Sequence, residues 1–314
     1  MKTALCGLWH VHAEGYFSRA MELSEVVGVY EENAQWRRDF CRKYGVKEFT
    51  SFQELLDSDA EGVIVCTATD AHAEIIERLA DAGKHIFTEK VLALSDADCD
   101  RIAAAVERNR VRFVISLPRK YTADCIAVQQ VAASGELGKL NYLRFRNCHS
   151  GSVDDWLPAH FYNEKECGGG AMIDLGAHGM YLTDWICGMP RSYASVFTKA
   201  TDAAKGNIDG VEDNAVTVMG YEDGCIAVNE TSFVSRGYPL SLEVGGEKGY
   251  IRMDQNGIVK STADTGYQTV AVPMGADLPS PIDQFLTGGI LPGCGIQDAR
   301  NLTHMMVMAY RNQA

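Results

Sequence analysis

No apolar run in this 314-residue chain approaches the roughly 20 residues needed to cross a bilayer. Positive charge is also short: 29 Lys and Arg stand against 42 Asp and Glu, for a formal charge of −13. That balance, with no basic patch to offset it, excludes nonspecific binding to nucleic acid or to anionic membranes. The ten cysteines are scattered, with neither a Cys-x-x-Cys pair nor zinc-finger spacing. They read as reduced, mostly buried thiols rather than a disulfide framework. Internal repeats and low-complexity tracts are missing. The opening run Met1-Lys2-Thr3-Ala4-Leu5-Cys6-Gly7 has no signal-peptide cleavage region, so the expectation is a soluble, cytoplasmic protein.

What remains is ordinary globular material, 46% hydrophobic, in a length that suggests two domains. Over residues 1–118 strand and helix patterns alternate. Strands are expected at 3–6, 25–30, 62–67, 85–88 and 112–116, and helices at 12–23, 34–44, 52–58, 71–82 and 96–109. Gly83 is a helix stop and Ser95 an N-cap. Such alternation predicts a doubly wound parallel sheet with helices on both faces. Residues 119–314 read differently. Helices at 122–134 and 298–311 flank strand candidates at 140–148, 192–198, 214–221, 225–234, 240–245, 250–253 and 268–272, with turn signals at Asp223-Gly224 and Asn256-Gly257. This predicts an α+β domain built on a large, mostly antiparallel open sheet.

The most informative stretch runs from Gly168 to Tyr181: three glycines, then a helical pattern carrying Asp174 and, four residues later, His178. That spacing puts both side chains on one helical face, with Tyr181 continuing the stripe. A carboxylate beside an imidazole is a workable acid/base pair near neutral pH. A plain intrahelical contact on a solvated face has the same spacing, so the reading depends on the other half of the chain.

A parallel sheet collects ligands at the carboxyl ends of its strands. After the first strand a dinucleotide site would read Gly-x-Gly-x-x-Gly; here it is Gly7-Leu8-Trp9-His10-Val11-His12, with only the first glycine kept. Glu31, at the end of the second strand, suits the ribose 2′-hydroxyl of NAD and repels the 2′-phosphate of NADP. Thr67 and Ala68 form a small-residue turn over which a nucleotide can lie, and His72 stands at the start of the next helix. Glu89-Lys90-Val91 follows the strand at 85–88, so Lys90 sits at a sheet carboxyl end, where an amine can stabilise a developing alkoxide. His10, His12 and His149 are conceivable metal ligands, but the sequence sets no further ligand beside them, and no metal site is expected.

Together these pieces resemble the Gfo/Idh/MocA family, named for glucose–fructose oxidoreductase and inositol dehydrogenase. The resemblance covers nearly the whole chain. It rests on the turn from Thr67 to Glu74, Glu89-Lys90-Val91 in place of Glu-Lys-Pro, the linker from Ser134 to Lys139, the segment from Gly168 to Tyr181, Val211-Glu212-Asp213-Asn214 and Asn229-Glu230-Thr231-Ser232. It implies a Rossmann-type domain over 1–118 and a substrate and oligomerisation domain over 119–314. It further implies NAD or NADP, of which Glu31 favours NAD, a sugar or polyol substrate, and a homodimer or homotetramer. Lys90, Asp174 and His178 map to the catalytic trio. Gly7, Leu8, Trp9, His10, Glu31, Thr67, Ala68, His72, Glu89 and Lys90 map to cofactor contacts.

The expected activity is therefore transfer of hydrogen between a secondary alcohol and the nicotinamide cofactor. His178 takes the hydroxyl proton, Asp174 orients the ring or binds a neighbouring hydroxyl, and Lys90 stabilises the oxyanion. Arg119, Tyr121, Trp156 and Tyr181 are candidate substrate contacts. The alternatives are a non-catalytic dinucleotide or sugar sensor of the same fold, and redox-neutral, NAD-dependent glycoside hydrolysis.

Overall fold

The computed structural model describes residues 1–201, 210–237 and 240–313, which divide into two compact units. The first unit comprises Met1–Ser116 and Pro279–Thr303. Its strands are β1 (Lys2–Cys6), β2 (Glu25–Tyr30), β3 (Glu48–Phe49), β4 (Gly62–Val65), β5 (His85–Thr88) and β6 (Phe113–Ile115), all parallel, in the order β3-β2-β1-β4-β5-β6. Every residue of β4 is buried, as a central strand covered on both faces requires. Helices α1 (Ala13–Leu23), α2 (Ala34–Tyr44), α3 (Phe52–Leu56), α4 (His72–Asp81) and α5 (Asp96–Asn109) alternate with the strands. Ser95 Oγ caps Asp98 as expected, and Asn33 Oδ1 caps Gln35 and Trp36.

Register positions the site. Cys6 pairs Val65, and Val65 pairs Thr88. The loops beginning at Gly7, Cys66 and Glu89 therefore leave the sheet at one level, on its carboxyl edge.

The second unit comprises Leu117–Leu278 and His304–Ala314. Its strands are β7 (Leu140–Cys148), β8 (Ser192–Thr198), β9 (Asn214–Gly220), β10 (Ile226–Ser232), β11 (Leu240–Gly246), β12 (Gly249–Asp254), β13 (Gly257–Thr262) and β14 (Val270–Ala271), in the order β14-β13-β12-β11-β7-β10-β9-β8. β7 and β10 pair in parallel; the other described pairs are antiparallel. Helices α6 (Ala123–Ala133), α7 (Glu164–Cys167) and α8 (Ala177–Cys187) belong to this unit. β10 turns Ala227, Asn229 and Thr231 into the core. The opposite face leaves Val196, Val216, Val218 and Ile226 exposed.

Two expectations need correction. The second half of the chain does not stay in one unit. Within Pro279–Thr303, the helix Pro281–Thr287 buries Ile282, Phe285 and Leu286, with Phe285 5.9 Å from Phe87 between ring centres. Arg112 Nη1 donates to Phe285 O at 3.1 Å, and Ile115 N donates to Cys294 O at 2.9 Å. The flank of β5 and β6 is completed by chain that follows the second domain in sequence. The other concerns strands: the pattern gives none at β3 or at β13, although the Asn256-Gly257 turn that starts β13 is legible. Among the described residues, no helix is long and apolar enough to cross a membrane.

Candidate active site

In the first unit the loop after β1 opens on Gly7 at φ +91°, where a Cβ would come within 2.6 Å of Thr67. Only glycine fits that turn. Beyond it the loop is tied down by hydrogen bonds: His10 N to Cys66 O at 3.1 Å, and Leu8 N to Glu31 Oε2 at 2.7 Å. The second Glu31 oxygen accepts Asn33 N at 2.8 Å, so this 8%-exposed carboxylate joins the loop to the end of β2. Trp9, half-buried, stands where a second glycine was expected. In the neighbouring turn Thr67 Oγ1 is buried without a hydrogen-bond partner among the described residues. An orphaned hydroxyl beside a glycine turn and an acidic strand end fits a dinucleotide. His72 is different. It is 1% exposed, with Nδ1 3.1 Å from Leu92 O and Nε2 3.3 Å from Thr67 O. Burial lowers its pKa, against the pull of these two carbonyl oxygens, and a neutral ring can donate to only one of them.

Glu89 and Lys90 are both buried at the end of β5, and the Lys90–Val91 peptide bond is cis. Glu89 Oε2 accepts Lys90 N at 3.0 Å. Oε1 lies 2.8 Å from His12 Nδ1 and 3.8 Å from His10 Nδ1, and it also accepts the Tyr16 hydroxyl. Burial alone would push this carboxyl up. The His10, His12 and Lys90 charges and the His12 hydrogen bond outweigh it and hold Glu89 well below the usual carboxylate range. Burial and the Glu89 charge push the Tyr16 phenol up, so Tyr16 stays a donor, with Ser116 Oγ 2.8 Å from its oxygen. The sequence pattern gave no sign of Tyr16, because its partner is 73 residues away.

In the second unit the helical reading of the stretch from Gly168 to Tyr181 holds after its glycines, with one change, and the helix runs on to Cys187. Met172–Gly176 is a π-helical turn that runs into α8. The wider turn alters the simple one-face stacking expected of Asp174 and His178. His178 Nδ1 lies 2.8 Å from Tyr181 Oη, which accepts Arg119 N at 3.1 Å. Tyr181 and Tyr121 are 1% and 3% exposed, and the Tyr181 hydroxyl is engaged by His178 Nδ1 and Arg119 N. Trp156 is 55% exposed, its ring 4.6 Å from that of His149. Burial lowers the His149 pKa, against the pull of the Asp174 charge.

The support for this helix was not foreseen in detail. Glu212 is 5% exposed; its carboxylate accepts Gly170 N at 3.0 Å, Met172 N at 2.8 Å and the Tyr310 hydroxyl at 2.7 Å. Burial raises its pKa, against those three donors. From β10, Asn229 Nδ2 donates to Gly176 O at 2.8 Å and Thr231 Oγ1 to Ala171 O at 3.0 Å. Gly179 is needed because a Cβ there would stand 2.1 Å from Asn229 Oδ1. The Val-Glu-Asp-Asn and Asn-Glu-Thr-Ser motifs are thus the mounts of the helix that carries His178.

Comparison with known proteins agrees with this architecture. Residues 1–117 match the oxidoreductase family with an NAD-binding Rossmann fold, and residues 125–252 match the Gfo/Idh/MocA C-terminal domain. Among characterised relatives, myo-inositol 2-dehydrogenase of Thermotoga maritima is 29% identical over 222 residues, spanning 69% of this chain and 64% of that protein. Inositol 2-dehydrogenase of Salmonella typhimurium is 26% identical over 231 residues, spanning 72% of this chain and 65% of that one. The matched region thus falls just short of two thirds of either relative's length. The aldose-aldose oxidoreductase of Caulobacter crescentus, solved with glycerol, has the same fold at TM-score 0.82 and 19% identity, over 99% of this chain and 97% of that one. GenD2 from gentamicin A biosynthesis, solved with NAD, gives 0.80 at 22% identity, over 99% and 93%. The chain belongs to the Gfo/Idh/MocA oxidoreductase family.

Proposed function

We propose that this chain oxidises a secondary alcohol of a sugar, polyol or derivative with NAD. When bound, NAD supplies the two-electron acceptor. Gly7, Leu8, Trp9 and His10 would hold it with Thr67 and Ala68, and Glu31 would meet the ribose and favour NAD over NADP. Lys90 donates to the substrate oxygen and stabilises its developing negative charge, and Glu89 positions Lys90 through its peptide N–H. His178 takes the hydroxyl proton at Nε2. That role requires the tautomer in which Nδ1–H donates to Tyr181 Oη, and this bond is the observation that carries the reading. Asp174 binds a neighbouring hydroxyl. The inositol dehydrogenases among the relatives support a cyclic polyol as the first class to test. The exposed valines and Ile226 on the β8-β9-β10 face support self-association of the chain through that sheet.

Calorimetry with NAD+, NADH and NADPH, followed by a screen of inositols and aldoses, tests the proposal. Lys90→Met is expected to cut kcat by about 10²-fold with cofactor affinity retained. Unchanged turnover would remove Lys90 from the mechanism, and tight NAD binding with no turnover on any polyol would favour a sensor. For self-association, Val218→Lys is expected to lower the molar mass seen by light scattering.

A further inference from the structure

His10, His12 and Glu89 converge at the carboxyl edge of the parallel sheet, each offering a ligand atom within 4.8 Å of the others. The geometry points to a divalent metal site of the zinc class at His10, His12 and Glu89, with one coordination position left for water or a ligand oxygen.

Distances come first. Zn–N and Zn–O bonds of about 2.0–2.2 Å put two ligands of a tetrahedral ion roughly 3.3 Å apart. His12 Nδ1 and His10 Nδ1 lie 2.8 and 3.8 Å from the same Glu89 oxygen, on either side of that value. The His10 and His12 ring centres are 4.7 Å apart. The ligand atoms lie within 4.8 Å of one another, so the rings must move inward to close the set. Binding replaces two hydrogen bonds: the one joining His12 to Glu89, and the 3.2 Å bond from His12 N to His10 Nδ1.

Chemistry selects the ion. Two imidazoles and one carboxylate suit Zn²⁺, Co²⁺ or Ni²⁺, whereas Mg²⁺ and Ca²⁺ prefer all-oxygen sets. Three protein ligands leave the fourth tetrahedral position open, as in hydrolytic zinc sites with a His₂Glu set. Access and support are both present. His10 and Glu89 are buried, while the His12 side chain is 52% exposed, so an ion can enter from its side. Glu89 is fixed by Tyr16, itself bonded to Ser116, on Oε1 and by Lys90 N on Oε2. Outer partners of this kind orient metal-binding carboxylates. Sheet register explains why distant residues meet: the loops carrying His10 and Glu89 leave strands aligned through Val65. The inference stands without the dehydrogenase reading.

The test uses the full chain, stripped with chelator and titrated with Co²⁺ and Zn²⁺. We expect one ion per chain by equilibrium dialysis, with visible d–d absorption from tetrahedral Co²⁺. No thiolate charge-transfer band should appear, which distinguishes this site from the cysteines. His12→Ala, with folding checked by circular dichroism and thermal unfolding, should weaken binding at least about 100-fold. Tyr16→Phe keeps all three ligands but removes a hydrogen bond to Glu89 Oε1, and should weaken binding about 10–100-fold. No stoichiometric ion in the wild type, or equal affinity in His12→Ala, would overturn the proposal and leave the cluster a hydrogen-bonded network. A thiolate spectrum would do the same. NAD affinity measured on the same samples reports separately on the dehydrogenase reading.

Discussion

Glu89 in the first unit and Glu212 in the second are both nearly sealed from water, 1% and 5% exposed, yet their carboxyls are driven in opposite directions. Burial pushes both up. At Glu89 it is overcome by His10, His12 and Lys90; at Glu212 only backbone N–H groups and the Tyr310 hydroxyl oppose it, and burial wins. Cations make a buried carboxylate an electrostatic centre. Dipoles make it a strut. The first arrangement sits where the chain is proposed to do chemistry, and the second holds the glycine turn from which the His178 helix starts.

Glu89→Gln is the harshest way to break the contrast. It strands buried positive charge, and losing one partner of such a set costs about 3–5 kcal/mol. The folded-state carboxyl lies below its ordinary 4.5, so its stabilising contribution is full above that pH and is lost as pH falls through the folded value. Urea unfolding should therefore show a wild-type advantage that is largest near neutrality and narrows below about pH 4.5. An equal gap at every pH would mean the carboxylate is not held by cations.

Glu212 should respond with the opposite sign. Its folded-state carboxyl lies above the ordinary 4.5, so its contribution is present below that pH and is lost as pH rises through the folded value. Glu212→Ala strands Gly170 N, Met172 N and the Tyr310 hydroxyl and should cost about 3 kcal/mol. Glu212→Gln loses only one of these contacts. It should cost about 1 kcal/mol and remove the pH slope. A Gln variant as damaged as Ala would show that the charge, rather than the acceptors, does the holding.

Tyr181→Phe sharpens the comparison at the helix itself. It deletes the hydroxyl shared by His178 Nδ1 and Arg119 N. The expected loss is about 1–1.5 kcal/mol, read as roughly tenfold in kcat with KM nearly unchanged. A change in KM alone would return Tyr181 to a binding role.

These contrasts also mark how far the sequence could be read. Strands β1, β2, β4, β5 and β6, the Ser95 cap and the helix bearing His178 follow from local periodicity and capping chemistry, which short windows contain. The motif Val211-Glu212-Asp213-Asn214 was visible as a pattern, but its strut role was not, because the donors lie 40 or more residues away. In sequence His10 and His12 have no further ligand beside them, because Glu89 is 77 residues from His12. Only the placement of β1 and β5 on either side of β4 unites them. The same holds for Pro279–Thr303: an amphipathic helix announces that it packs, not which sheet it packs on.

Thr67 gives the smallest effect on folding and the cleanest separation of structure from binding. Its Oγ1 is buried with no partner among the described residues, whereas the Glu89 and Glu212 oxygens are all engaged. Thr67→Val keeps the shape and removes an unsatisfied hydroxyl, so stability should move by no more than about 0.5 kcal/mol. If a bound dinucleotide supplies the missing partner, NAD affinity should weaken about fivefold, the worth of one hydrogen bond near 1 kcal/mol. A variant that unfolds more readily but binds NAD as before would mean the hydroxyl serves the fold. A variant that folds as before and binds NAD less well would show that this buried oxygen is left unpaired for the cofactor.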